Sequence, residues 1–188
     1  MKILRHIRLT SRDTDLTALY RRLDPAYPKF FKMDTLCKAG FLATELLLSE
    51  DKDRFLPRED RAVLLFSKSG PLCNDTHYRD SIREENYFPS PSLFVYTLAN
   101  IITGEIAIRN HYKGDTSAFI LDGFDAAAIA ENVTACFQDP VTQDAICGWA
   151  ECTADNDFDV LLMLAAREGE GLEFNETSIN QLYERTHQ

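Results

Sequence analysis

The chain has 188 residues, 45% hydrophobic and 27% charged, enough for one sizeable core and ordinary for a globular protein. Its net charge of −10 argues against nucleic-acid binding, where phosphate neutralisation needs clustered Lys and Arg. No run approaches the roughly 18 apolar residues of a membrane span. The opening MKILRHIRLTSRD scatters charge through its apolar positions, so a signal peptide is not expected and a cytoplasmic location is.

The charge is uneven. Residues 139–176 carry ten acidic side chains and one basic one, Arg167, whereas residues 1–60 carry twelve basic and ten acidic. Five dispersed cysteines (Cys37, Cys73, Cys136, Cys147, Cys152) read as reduced thiols rather than a disulfide framework.

Taken in order, Ile3–Thr10 alternates loosely and is β-branched enough for a first strand. Asp13 or Thr14 can cap a short helix to about Leu23, which Asp24-Pro25 and Tyr27-Pro28 end. Asp34 starts a clear helix to about Ser49, with Leu36, Ala39, Ala43 and Leu47 on one face. Glu50–Asp60 is charged and reads as loop. Ala62–Phe66 is a continuous apolar run, as expected of a strand covered on both faces. The loop Ser67–Asn74 follows, in the position where α/β sheets bind ligands. Its glycine spacing fits neither a phosphate loop nor a dinucleotide fingerprint.

A helix is expected over Asp75–Glu85. Ser90 or Ser92 then caps a long, nearly all-round apolar helix over Ser90–Ile108, which by its composition should be buried. A turn at Lys113-Gly114-Asp115 leads to a strand within Thr116–Leu121. The elbow Asp122-Gly123 and a small-residue helix from Phe124 to about Phe137 come next, ended by Asp139-Pro140. Ala145–Cys152 and Val160–Ala166 suggest an antiparallel pair. Gly169–Gly171 reads as a hinge and Thr177–Arg185 as a terminal helix. The expectation is one domain over residues 1–170 with a short helical tail over 171–188. It is an α/β, three-layer, mostly parallel sheet with helices on both faces and the antiparallel pair at its end.

The central wording carries a family resemblance. Ser90-Pro91-Ser92 opens an apolar helix containing Asn100, Gly104–Ile108 reads Gly-Glu-Ile-Ala-Ile, and Gly114 precedes a strand and an elbow. This resembles the N-terminal half of a β-ketoacyl synthase, which has the thiolase-like fold. The likeness extends in topology from Ile3 to Ala166 and is specific from Ser90 to Ile129. It implies a nucleophilic cysteine at the elbow, but counting back from Ala127-Ala128-Ile129 puts Asp122 there, or Gly123 if the register slips by one. Neither can form an acyl thioester, and the half bearing the family's two histidines has no counterpart here. The resemblance therefore implies a non-catalytic relative, similar to a chain-length-factor subunit, acting in fatty-acid, polyketide or aryl-polyene-type synthesis. It further implies a dimer, homotypic or with a full-length ketosynthase, through the Ser90–Ile108 helix and the Thr116–Leu121 strand. Lys29, Lys32, Arg21 and Arg22 form a weak candidate dock for an acidic acyl carrier protein.

Each candidate has a plainer reading. Asp122 reads either as a working carboxylate with His111 as partner or, the plainer reading, as the cap of the next helix. His111 sits past a helix end, where capping is commoner than catalysis. Cys136 lies well along the last helix of the central stretch, facing away from the elbow. His6, His77 and His187 lack metal-ligand spacing. Asp155-x-Asp157-x-Asp159 opens like a calcium loop, but Val160 stands where glycine is needed and Ala166 where the closing glutamate is needed. No metal and no cofactor is expected. The runner-up function is an altered acyl-thioester chemistry on Asp122, and the third an unrelated small α/β interaction domain.

Overall fold

The computed structural model describes residues 1–82, 88–154 and 157–184. Strand β1 (Lys2–Thr10) leads to helix α1 (Leu16–Leu23), a single 3-10 turn (Pro28–Lys32) and helix α2 (Thr35–Leu47). Asp15 caps α1 by accepting from Ala18 N–H, and Asp34 caps α2 by accepting from Cys37 N–H. Strand β2 (Arg61–Ser67) is followed by α3 (Leu72–Ser81), α4 (Pro91–Val95) and α5 (Ile101–Asn110). Strand β3 (Thr116–Ile120), α6 (Ala126–Cys136), β4 (Asp144–Ala154), β5 (Asp157–Ala166), β6 (Leu172–Glu173) and α7 (Glu176–Glu184) complete the described elements. The expected end of the third long helix at Glu85, the end of the terminal helix at Arg185, His187 and Asp155 fall outside the described residues.

The six strands form one sheet in the order β3-β2-β4-β5-β1-β6. β3, β2 and β4 pair in parallel, while β5 is antiparallel to both β4 and β1. Strands β1 to β4 therefore point one way, as a mostly parallel sheet requires. The antiparallel pair is not at the end of the sheet as expected, because β1 lies outside β5 and carries the short β6 beyond it.

The sheet separates two cores. On one face α1, α2 and α5 pack against Val63, Leu65, Ile146, Leu162 and Leu164. On the other, α6 and α7 pack against Leu64, Phe66, Cys147, Trp149, Leu161 and Met163. β2 is buried throughout, the result its unbroken apolar run predicts for a strand covered on both faces. α7 sets Ile179 and Leu182 into the second core.

The tight turn before β3 needs its glycine. A Cβ on Gly114 would stand 2.3 Å from the carbonyl oxygen of Arg61, so the chain can approach the start of β2 only without a side chain.

The expected Ser90–Ile108 helix is two helices. α4 stops at Val95, residues 96–100 turn, and α5 restarts after Asn100. Side chains compete with the helical backbone at the break: Thr97 Oγ1 donates to Phe94 O and Thr103 Oγ1 to Asn100 O. Only α5 is buried. Phe94, Val95 and Leu98 are 54%, 44% and 52% exposed, because the first piece packs mainly on α3 rather than on the sheet.

Candidate functional site

The C-terminal ends of β2, β3 and β4 meet at one edge of the sheet, the position that binds ligands in α/β folds. The elbow after β3 lies here. Asp122 is exposed and lines an open groove with Leu121, Phe124, Asp125, Glu176 and Asn180. It does not cap the helix that follows. Asp125 does, accepting from Ala128 N–H at 2.9 Å, since α6 begins three residues further on than the elbow.

Nor can Asp122 work with His111. That histidine is the left-handed C-cap of α5, at the opposite end of β3, about 16 Å away at 3.3 Å per strand residue. Gly123 offers no functional group. Cys136 sits in the last turn of α6 with its Sγ 3.9 Å from Asp115 Oδ2, also at the far end of β3. The elbow itself, Asp122-Gly123, carries no cysteine.

Three polar groups that sequence reasoning passed over organise this edge. Glu151, near the end of β4, is buried and accepts from Ser67 Oγ at 3.1 Å, Lys68 N–H at 2.6 Å and Ser69 N–H at 3.1 Å. Its carboxylate holds the loop after β2 in place, and Gly70 N–H in turn donates to Ser67 Oγ. The signal was present in the sequence: a lone acid within the apolar run Trp149–Cys152 must find donors if that run is a buried strand.

Glu105 is the second. It is 1% exposed within α5, accepting from Tyr96 O–H at 3.2 Å and paired with Lys29 Nζ at 2.6 Å, while its Oε2 has no partner. The hydrogen bond to Glu105 raises the Lys29 pKa, and burial followed by the charge of Glu105 raises that of Tyr96. Lys29 is thus drawn inward by a buried carboxylate and does not stand with Arg21, Arg22 and Lys32 as a free surface charge.

The third is a pair of thiols. Cys73, in the first turn of α3, is hydrogen-bonded to Cys152 on β4, and burial pushes the Cys152 thiol up. All five cysteines are free. Among the described residues no group of three or more His, Cys, Asp or Glu could hold a metal ion. Asp157 and Asp159 of the acidic turn are already engaged with Ser11 and Arg8.

The apolar surface lies along the same side. β3 is the edge strand, with Ile120 54% exposed. Ile120 shares a small void with Ala99 and Ile102, which brings the α4–α5 turn, with exposed Leu98, Phe94 and Val95, against the end of that strand. Ile108, 65% exposed, continues the apolar character along α5. An uncovered edge strand beside exposed aromatic and aliphatic side chains is a template for association.

No protein-family profile matches the chain, and no curated protein does. Solved structures do. The chain is similar to the ishigamide ketosynthase/chain length factor at TM-score 0.65 and 20% identity, over 82% of this chain and 48% of that one. It is similar to the complex of the ketosynthase ApeO with its chain length factor ApeC from Xenorhabdus doucetiae at TM-score 0.60 and 13% identity, over 97% of this chain and 90% of that one. A type II polyketide synthase ketosynthase bound to a hexaketide, in complex with its acyl carrier protein (AntDE:AntF), matches at TM-score 0.62 and 10% identity, over 88% of this chain and 62% of that one. The chain spans about half the length of the first of these, and nearly the whole length of the matched chain in the second. The fold is the α/β, thiolase-like half-domain expected from the sequence.

Proposed function

We propose that this chain is a non-catalytic partner subunit of the chain-length-factor type. It would pair with an active ketosynthase in polyketide, fatty-acid or aryl-polyene-type acyl-chain synthesis. One observation carries the reading. The ketosynthase-like scaffold delivers β3 to an elbow, Asp122-Gly123, at which an exposed aspartate stands and which itself carries no cysteine. A carboxylate there cannot take an acyl group as a thioester, so what the scaffold can still offer is surface and shape.

The pairing surface is the β3 edge with Ile120, Phe94, Val95 and Leu98. The complexes named for a ketosynthase with its chain length factor support a ketosynthase as the occupant, and a second copy of this chain is the alternative. An acyl carrier protein is a further partner, reached through Arg21, Arg22 and Lys32, all exposed. The setting is cytoplasmic. Among the described residues no helix is long and apolar enough to cross a membrane.

The test is co-expression with candidate ketosynthases, tagged on this chain. A ketosynthase recovered in equal amount, whose condensing activity needs this chain and survives Asp122→Asn, supports the proposal. Activity of this chain alone on acyl thioesters, lost in Asp122→Asn, overturns it in favour of an altered chemistry.

A further inference from the structure

We propose that Cys73 and Cys152 form a redox-responsive pair, in which peroxide oxidises Cys73 and Cys152 closes a disulfide that fastens α3 to β4. This goes beyond the partner-subunit reading and does not depend on it.

The two thiols belong to elements far apart in sequence but packed together. α3 rests on β4, and the Cys73 and Cys152 side chains are in hydrogen-bond contact. Their accessibilities differ in the way such a step requires. Cys73 is partly exposed and opens into a groove of about 200 Å³, whose lining includes Lys32, Asp34, Lys38, His77, Leu93 and Tyr96. Cys152 is 1% exposed behind it, its Sγ directed to Ala154 O at 3.2 Å. A small oxidant therefore meets Cys73 first. Lys32, Lys38 and Asp34 line the groove into which Cys73, in the first turn of α3, opens.

The chemistry balances with hydrogen peroxide as the oxidant. The Cys73 sulfur attacks one peroxide oxygen, the O–O bond breaks, and sulfenic acid and one water result. The Cys152 sulfur then displaces the sulfenic hydroxyl. The S–O bond breaks as the S–S bond forms, and the Cys152 proton leaves with the hydroxyl as a second water. Two thiols have lost two hydrogens, and the peroxide has become water. The other cysteines are placed otherwise: Cys37 and Cys147 are buried in the two cores, and Cys136 lies at the far end of β3.

The consequence lies where α3 meets α4 and the loop after β2. α3 follows the Ser67–Ser69 loop that Glu151 holds, and Asn74, next to Cys73, donates to Leu93 O of α4 at 2.8 Å. A cross-link from Cys73 to β4 would tie that junction to the sheet.

The experiment treats the intact folded chain with hydrogen peroxide, quenches with an alkylating agent under denaturing conditions, and maps peptides without reduction. The expected result is a fall from five alkylatable thiols to three, a Cys73–Cys152 peptide, and recovery of both thiols with dithiothreitol. In Cys152→Ser the Cys73 sulfenic acid should persist and be captured by dimedone, whereas Cys73→Ser should leave Cys152 unmodified. The proposal is overturned if Cys136 oxidises first, if the cross-link joins two chains, or if Cys73 over-oxidises while Cys152 stays a free thiol.

Discussion

Substituting Lys29 by Met removes the cation paired with the buried Glu105 carboxylate, leaving it the hydroxyls of Tyr96 and Tyr27. Breaking a buried pair by deleting one partner costs roughly 3–5 kcal/mol. Lys29 is itself 44% exposed, so part of that attraction is screened by water and about 2 kcal/mol is the expected loss. For a chain of this length each kcal/mol moves the melting temperature by about 2–4 °C, giving a fall of about 4–8 °C. Glu105→Gln should cost less, about 1 kcal/mol, because the freed Lys29 can swing into water while the amide keeps an acceptor for Tyr96. The double variant Lys29→Met/Glu105→Gln should then resemble Glu105→Gln alone, a coupling of about 2 kcal/mol between the two sites. Urea melts of the four proteins at neutral pH measure it. Additive losses, or a Lys29→Met protein within about 0.5 kcal/mol of the parent, would refute the placement of Glu105 as a buried charge held by Lys29.

Other outcomes follow from the same geometry. Gly114→Ala must force a Cβ against the Arg61 carbonyl, and should lower stability by about 1–3 kcal/mol in denaturant melts. Asp60 has its pKa lowered by the Arg58 guanidinium hydrogen-bonded to it, and Asp51 is held low by Arg5 and Arg61 although its burial pushes the other way. A lowered folded-state pKa gives stability that is present above the usual carboxylate range and lost as pH falls through the folded value. The acid limb of stability should therefore steepen below about pH 4, and Asp60→Asn should flatten it. Asp122→Asn, at an exposed position that caps nothing, should leave the melting temperature within about 1 °C.

Much of the fold was legible because its signals are local. Asp34 before a 3- and 4-spaced apolar face gave α2 its start, and the unbroken Ala62–Phe66 run gave a strand covered on both faces. Local signals could not say where β1 enters the sheet. Its pairing partner β5 lies about 150 residues downstream, and the alternation of Ile3–Thr10 fits any antiparallel neighbour. Composition misled at Ser90–Ile108, since an apolar run fits a buried helix as well as a short helix that leaves Phe94, Val95 and Leu98 exposed.

The candidate site was half legible. The elbow after β3 was legible, and the structure places Asp122 there, exposed. Its capping role was assigned to Asp122 because helix starts are uncertain by a few residues, and three residues decide between Asp122 and Asp125. Glu105 and Glu151 were visible as single acids in apolar runs. Their partners Lys29 and the Ser67–Ser69 backbone come from elements about 80 residues away, which no spacing rule connects.

The most direct measurement of the central claim is the mass, by light scattering, of the chain purified with a co-expressed ketosynthase, compared with a Phe94→Glu/Ile120→Glu variant. The account predicts a defined one-to-one heterodimer for the parent chain. It predicts its loss in the variant, with the variant's own melting temperature unchanged because both side chains are more than half exposed. A chain that stays apart from every ketosynthase offered, or a variant that pairs as well as the parent, would contradict it.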